Sequence, residues 1–318
     1  MKVTEHIEKG NGTTQFSFEI LPPLKGQNIK SIYNAIDPLM EFKPPFIDVT
    51  YHREEYVFQE LENGLLQKKV VRKRPGTVGI CAAIKNRYNV DAIPHILCGG
   101  FTKEDTENFL IDLDFLGINN VMALRGDAVK SETYFIPEKE GHKYATELVT
   151  QISSLNRGQY LDEELENSAT TNFCIGVAGY PEKHMEAPSM ESDIHFLKKK
   201  IKNGASYIVT QMFFDTSKFL SFVAKCRAEG ITVPIIPGLK PIATKKHLNL
   251  IPHRFKVDLP DDLVKEVIKC KDNKQVNEVG VEWCITQSRE LIAAGVPILH
   301  YYSMGKSDNI KSIASQIF

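Results

Sequence analysis

The stretch FSFEILPP, residues 16–23, sets one carboxylate, Glu19, in an apolar run that stops at two prolines. Phe16, Phe18 and Ile20 alternate with Ser17, Glu19 and Leu21, the period-2 pattern of a strand. Pro22 and Pro23 have no N–H to donate and end its ladder. An acid there is either a solvated edge residue or a proton donor at the mouth of an apolar pocket. Other residues with usable chemistry recur at the ends of similar runs. LRGD (124–127) offers a planar guanidinium for phosphate in Arg125, room for close approach of a ligand at Gly126, and a carboxylate in Asp127. Taken alone, it is equally an Arg–Asp turn on a glycine hinge. Thr50 and Tyr51 end a second run and His95 lies early in a third. GYPEKH (179–184) brings Tyr180 and His184, and Gln211, Tyr301 and Tyr302 lie in two further runs. Lys198, Lys199 and Lys200 read as a solvated helix face or as partners for a pyrophosphate. No His-Glu-x-x-His or comparable spacing points to a metal.

The elements that must position these residues alternate from end to end. Strand-like runs come at FSFEI, FIDVTY (46–51), PHILC (94–98), NVMAL (120–124), FCIGVAG (173–179), YIVTQMFF (207–214), VPIIPG (233–238) and PILHYYS (297–303). They are near-continuously apolar, as parallel strands covered on both faces are. Helical spacing fills the intervals. In 102–118 Thr102 is the N-cap and Gly117 the stop; Ser189 and Gly204 bracket another helix, and 76–89 reads as helix. Eight β/α units in 318 residues predict one (β/α)8 barrel, whose active site gathers at the C-terminal strand ends. The polar stretch 157–172 reads as a surface insertion, and 128–143 as a long loop after the fourth strand.

The totals narrow the function. With 42% apolar and 25% charged residues the chain reads as a soluble globular protein, and 39 basic against 40 acidic residues give no field favouring nucleic acid. No apolar run approaches the roughly 20 residues of a bilayer helix, and MKVTEHIEKGNGTT has no signal-peptide core. Cysteines at 81, 98, 174, 226, 270 and 284 form no C-x-x-C pair, which suits a reducing cytoplasm. No G-x-G-x-x-G occurs, and MGKS (304–307) lacks the upstream glycine of a phosphate loop.

FSFEILPP, VTY, PHILC, VMALRGD, VAGYPEKHMEA, GASYIVTQMFFD and ITVPIIPGLKPI occur in an order that resembles methylenetetrahydrofolate reductase, from about residue 15 to about residue 304. The resemblance implies a (β/α)8 catalytic barrel with non-covalent FAD, reduced by NADH or NADPH. The flavin then passes hydride to 5,10-methylenetetrahydrofolate to give 5-methyltetrahydrofolate, the methyl source for methionine. It implies ping-pong kinetics and a homo-oligomer. Residue by residue it makes Glu19 the catalytic acid and Asp127 the carboxylate near flavin and pterin. FAD contacts fall on Thr50, His95, Leu124, Arg125, Gly126, Asp127, Tyr144, Ala145, Tyr180, His184, Asp193, Lys199 and Lys200; Gln211, Tyr302 and Lys306 meet the folate. HREE (52–55) and the 157–172 segment depart from the pattern. Ile251 stands where a phenylalanine stacks on substrate, and Lys306 where an arginine often meets the folate glutamate.

The chemistry explains why the family would want an acid at residue 19. The substrate is a closed aminal, and hydride cannot attack until N10 leaves. A carboxyl protonated near neutral pH can supply the proton, and apolar surroundings, here Phe16, Phe18 and the prolines, favour that form. Two other readings stay open. A barrel lyase or aldolase would need a buried strand-end lysine, and the eight runs contain none. A non-catalytic flavin- or folate-binding module would not need Glu19.

Overall fold

Strands apolar at successive positions need cover on both faces, and the order of elements supplies it. A computed structural model describes residues 1–129, 132–303, 305 and 307–318. Parallel strands β1 (Gln15–Ile20) and β2 (Phe46–Val49) precede an antiparallel hairpin, β3 (Glu55–Glu60) and β4 (Leu66–Val71). Then come β5 (Asp91–Leu97), β6 (Asn120–Leu124), β7 (Cys174–Gly179), β8 (Tyr207–Thr210), β9 (Ile235–Ile236), β10 (Gly238–Leu239) and β11 (Ile298–Tyr302). The sheet order is β10-β11-β1-β2-β5-β6-β7-β8-β9. Its two end segments, β9 and β10, are consecutive in the chain and separated only by Pro237. Pro237 has no N–H for the ladder, but its carbonyl accepts from the His300 backbone at 3.1 Å. Counted as one interrupted strand, they close the eight-stranded barrel predicted from the sequence.

The helices are α1 (Val3–Lys9), α2 (Lys30–Ile36), α3 (Thr77–Tyr88), α4 (Lys103–Phe115), α5 (Ala145–Leu155) and α6 (Met190–Lys202). After them come α7 (Thr216–Ala228), α8 (His247–Phe255), α9 (Asp261–Lys269), α10 (Asn273–Ala293) and α11 (Asp308–Ile317). The predicted caps form. Thr102 Oγ1 accepts from the Asp105 N–H at 3.0 Å while the Asp105 carboxylate accepts from the Thr102 N–H at 3.0 Å, a reciprocal capping box. Ser189 Oγ accepts from the Ser192 N–H at 3.2 Å.

Register decides which residues face inward. Ser17 pairs with His300, and Glu19 with Tyr302 on one side and Asp48 on the other. The same alternation turns Phe16 and Phe18 outward, where Phe16 meets the rings of Phe42 and Phe318 at 5.6 and 5.5 Å. The apolar setting expected for Glu19 is therefore corrected: these phenylalanines pack under the helices, on the opposite face of their own strand. The barrel floor is filled instead by Val3 of α1, Phe46, Ile93, Met122, Cys174 and Tyr207.

Residues 157–172 carry no helix or strand. Two further departures remain. The β8 run stops at Thr210 rather than 214. The hairpin was not anticipated, although Asn63-Gly64 between alternating runs is a hairpin signal; Gly64 takes φ 76° and its N–H bonds the Leu61 carbonyl at 2.8 Å. Arg72, just beyond β4, donates to the Tyr51 hydroxyl at 3.0 Å and anchors the hairpin beside the mouth.

Gly176 pairs with Tyr207 across β7 and β8, and a Cβ at 176 would lie 2.6 Å from the Tyr207 hydroxyl oxygen. Gly176→Ala is expected to destabilise the barrel by about 1–3 kcal/mol, the usual penalty of overpacking, measured by denaturant unfolding. An unchanged midpoint would mean that the ring has room to move.

Candidate active site

At the C-terminal end of the strands the inward residues of β1, β2 and β5 converge. Glu19 Oε1 accepts from Thr50 Oγ1 at 2.7 Å. Its Oε2 lies 3.4 Å from His95 Nε2, which lies 3.5 Å from Asp48 Oδ2. Glu19 keeps 13% of its side chain exposed and Asp48 only 1%, so Glu19 faces the mouth and Asp48 is sealed beneath it. Burial alone would lower the His95 pKa, but the interaction with Asp48 and the charges of Glu19 and Asp48 outweigh it and raise the value. One layer down, Ser17 Oγ and His300 Nδ1 are 2.9 Å apart, and burial holds the His300 pKa low. Tyr302 donates to the Thr210 carbonyl at 2.6 Å, and Ser303 Oγ to the Glu19 carbonyl at 2.6 Å.

The second half of the rim is built by β6 and β7. Leu124 ends β6, and Arg125 forks onto Glu186 at 2.5 and 2.7 Å. Its guanidinium stands 5.0 Å from the Phe135 ring centroid, with Arg53 at 5.6 Å from the same ring. Arg53 pairs with Glu132 in a largely buried ion pair, so HREE ties the loop after β2 to the loop after β6. Gly126 takes φ 84°, where an added Cβ would be strained and would meet Leu97 at 3.3 Å.

Asp127 is exposed on the rim; with burial the larger cause, its charge helps push the Tyr180 phenol up. Tyr180 and His184 meet edge to face at 4.7 Å, and the His184 N–H donates to Asp193 at 2.8 Å. Burial, aided by the Arg125 charge, lowers the His184 pKa. Lys200 reaches back to the Ala178 carbonyl at 2.9 Å, and burial lowers its amine to about 8 against the pull of Asp193.

The remaining predicted residues divide. Tyr144, the N-cap of α5, is half exposed and Ala145 opens that helix. Gln211 folds back, its Oε1 accepting from the Met212 N–H at 3.0 Å. Lys199, one position before Lys200, is exposed on the outer face of α6. Ile251 is buried in the cluster of Met212, Phe214 and Ile242, against which Tyr302 also packs. Lys306 lies outside the described residues.

Sequence reasoning missed Asp48 and Lys240. Asp48 is two residues before Thr50, so period 2 alone sets both on the inner face. Lys240 follows β10 directly, two positions beyond the run that ends at 238. The expectation of no strand-end lysine is thereby corrected: burial lowers the Lys240 amine to about 8, with the Glu19 charge opposing.

A family model described as methylenetetrahydrofolate reductase matches residues 2–317. The chain is 33% identical to methylenetetrahydrofolate reductase 1 of Schizosaccharomyces pombe over 95% of its length, but spans 45% of that protein. It is 31% identical to methylenetetrahydrofolate reductase (NADH) 1 of Arabidopsis thaliana, covering 96% of this chain and 48% of that one. The chain thus spans about half the length of these relatives. With 5,10-methylenetetrahydrofolate reductase of Escherichia coli it shares 28% identity over 96% of its own length and 91% of the other. Among solved structures, an uncharacterised Clostridium thermocellum protein described as binding two copies of 5-methyl-5,6,7,8-tetrahydrofolic acid aligns with a TM-score of 0.58. It is 14% identical, the alignment covers 99% of this chain and 98% of that one, and the likeness shows the shared fold.

The raised His95 pKa fixes a sign. A histidine whose folded value exceeds its unfolded 6.5 contributes stability that is complete below that pH and is lost as pH rises through the folded value. Asp48→Asn is expected to lower the His95 titration midpoint in NMR and to flatten the stability profile over that window. An unmoved midpoint would remove Asp48 from the account.

Proposed function

This chain belongs to the methylenetetrahydrofolate reductase family, and from that premise we propose that it reduces 5,10-methylenetetrahydrofolate to 5-methyltetrahydrofolate with NADH or NADPH. The proposal includes non-covalent FAD, alternation of both substrates at one mouth, a methyl supply for methionine synthesis, and a cytoplasmic homo-oligomer. Relatives named for either nicotinamide occur, and no helix among the described residues is long and apolar enough to cross a membrane. The observation that carries the reading is Glu19, open to the mouth and bonded by Thr50 beside His95.

The residues on the β6–β7 side fit the flavin. Lys200 is a buried cation satisfied by one carbonyl, which a phosphate would suit better, and the positive φ of Gly126 keeps a side chain out of the way. Thr50, His95, Leu124, Arg125, Gly126, Asp127, Tyr144, Ala145, Tyr180, His184, Asp193 and Lys200 would hold it; Lys199 would contribute long-range charge. Arg125 would share its fork with Glu186. When bound, FAD would supply hydride acceptance from the nicotinamide and hydride donation to the folate.

The chain's own residues would move the proton. Glu19 gives a proton to the folate N10, the methylene–N10 bond breaks, and a 5-iminium carbon is left for hydride. Thr50 occupies Oε1 of Glu19 and leaves Oε2 facing His95, the group placed to return a proton. His95 is kept cationic for longer by Asp48, which suits it to that supply. The exposed Asp127 carboxylate favours the passing iminium cation electrostatically. Gln211 and Tyr302 line the folate side, with Lys306 as its proposed partner for the glutamate. A Schiff-base lyase would find its lysine in Lys240, but the family match from residue 2 to 317 outweighs that single feature.

Purified protein should be yellow with bound FAD, bleach with NADH or NADPH, and recover colour on adding methylenetetrahydrofolate. Glu19→Gln should retain flavin and nicotinamide oxidation while folate-dependent reoxidation falls by about 10²–10⁴-fold, the usual contribution of a placed acid. Equal loss in both half-reactions would take the acid role from Glu19.

A further inference from the structure

Among the described residues, Lys240 carries a charge that reaches Glu19 and for which neither fold nor mechanism has given a purpose. Its place follows from register. Gly238 pairs with His300 and Leu239 with Tyr301, so the next residue stands level with Tyr302, which pairs with Glu19 on β1. Leu239 and Tyr301 point outward into the helical layer. Gly238 points inward, since a Cβ there would meet the Tyr302 hydroxyl at 2.5 Å. Alternation therefore turns Lys240 inward, next to Tyr302 and across it from Glu19. Among the described residues Lys240 has no side-chain hydrogen bond and no ion pair within 4.0 Å. The other groups in its electrostatic reach are Glu19, His247 of α8 and the buried Cys284 of α10. His247 is itself lowered by burial and by the Lys240 charge, so it adds no counter-charge. A desolvated donor with no partner of its own is satisfied when a ligand brings an acceptor.

The proposed substrate has one acceptor in the right place. In a pterin the 4-oxo oxygen lies beside N5 across the ring fusion, and N5 shares the methylene bridge with N10. A cation one strand removed from the acid that serves N10, at the same level of the mouth, is placed for that oxygen rather than for the 2-amino edge. We propose that Lys240 is a specificity-determining residue that donates a hydrogen bond to the 4-oxo oxygen of the pterin and selects 4-oxo over 4-amino pterins. The assignment rests on the folate reading above. A 4-amino group presents N–H donors where the ammonium requires an acceptor, so the two donors oppose each other and one stays unsatisfied. Burial that makes the ammonium costly in the empty site strengthens this discrimination once the site is filled.

Folic acid and aminopterin differ only at position 4, which makes them clean probes. Their dissociation constants are to be measured by calorimetry on the flavin-loaded protein, for the natural chain and for Lys240→Met and Lys240→Arg. The natural chain should favour folic acid by about tenfold or more, the scale of one charged hydrogen bond gained against one lost. Lys240→Met should bring the ratio close to one, chiefly by weakening folic acid, and Lys240→Arg should keep most of the preference. Flavin content and thermal midpoint show that each variant is folded. An equal ratio in the natural chain and Lys240→Met, or a natural preference for aminopterin, overturns the assignment. Failure of both pterins to bind a yellow, NADH-bleachable natural protein would overturn the folate reading and this residue's part with it.

Discussion

One imidazole between two carboxylates organises the mouth of this barrel. His95 of β5 stands 3.4 Å from Glu19 of β1 and 3.5 Å from Asp48 of β2, joining three neighbouring strands. Charges removed from water are tolerated only when paired and oriented. Asp48 is sealed, has one oxygen without a partner among the described residues, and depends on His95 for compensation. The arrangement fixes the direction in which Glu19 presents its carboxylate, since Thr50 holds one oxygen and His95 faces the other. Displacing β1 by one residue would send Glu19 into the helical layer and Phe18 into the mouth. The chemistry is thus set by register before any single side chain is considered.

That logic also separates the readable from the unreadable. Each of the eight apolar runs corresponds to a barrel strand, with VPIIPG divided at Pro237, because burial on both faces leaves a continuous signal that tolerates no long polar interruption. Caps at Thr102 and Ser189 were equally legible, being local devices. The hairpin at 55–71 lies outside the barrel with both strands mostly exposed, so no continuous apolar run marks it. Most predicted rim residues do lie at strand ends, where the fold must put them.

What the sequence could not show was contact across strands. Phe16 and Phe18 adjoin Glu19 in the chain, yet in space they share nothing with it, because neighbours in a strand face opposite ways. The side chains that do meet Glu19 come from residues 50 and 95, and the charge of Lys240 reaches it; all three are distant in sequence and brought near only by closure of the sheet. Asp48 stood unremarked inside the FIDVTY run and is a partner of His95. Lys240 sat two positions past an apolar run, where period-2 alternation was not followed further. The Arg125–Glu186 fork was invisible for the same reason, since 61 residues separate the two side chains.

The two halves of the rim handle charge in different ways, and this suggests a division of labour. On the β6–β7 side Arg125, Lys200 and Arg53 are held by Glu186, by a carbonyl and by Glu132, each with the cation retained in place before any ligand arrives. Such preorganised cations suit a resident anionic group that stays bound through many turnovers. On the β1–β2–β5–β10 side the groups are shifted toward each other: His95 is raised above its ordinary value and Lys240 is brought down to about 8. Burial drives one downward while carboxylates drive the other upward, so two bases that differ by about four pKa units in water are drawn together around one acid. That convergence suits a site that also handles a transient substrate. It requires a barrel, because only the pairing of β10 with β11 and of β11 with β1 sets the lysine that follows the seventh strand within electrostatic reach of the first strand's glutamate.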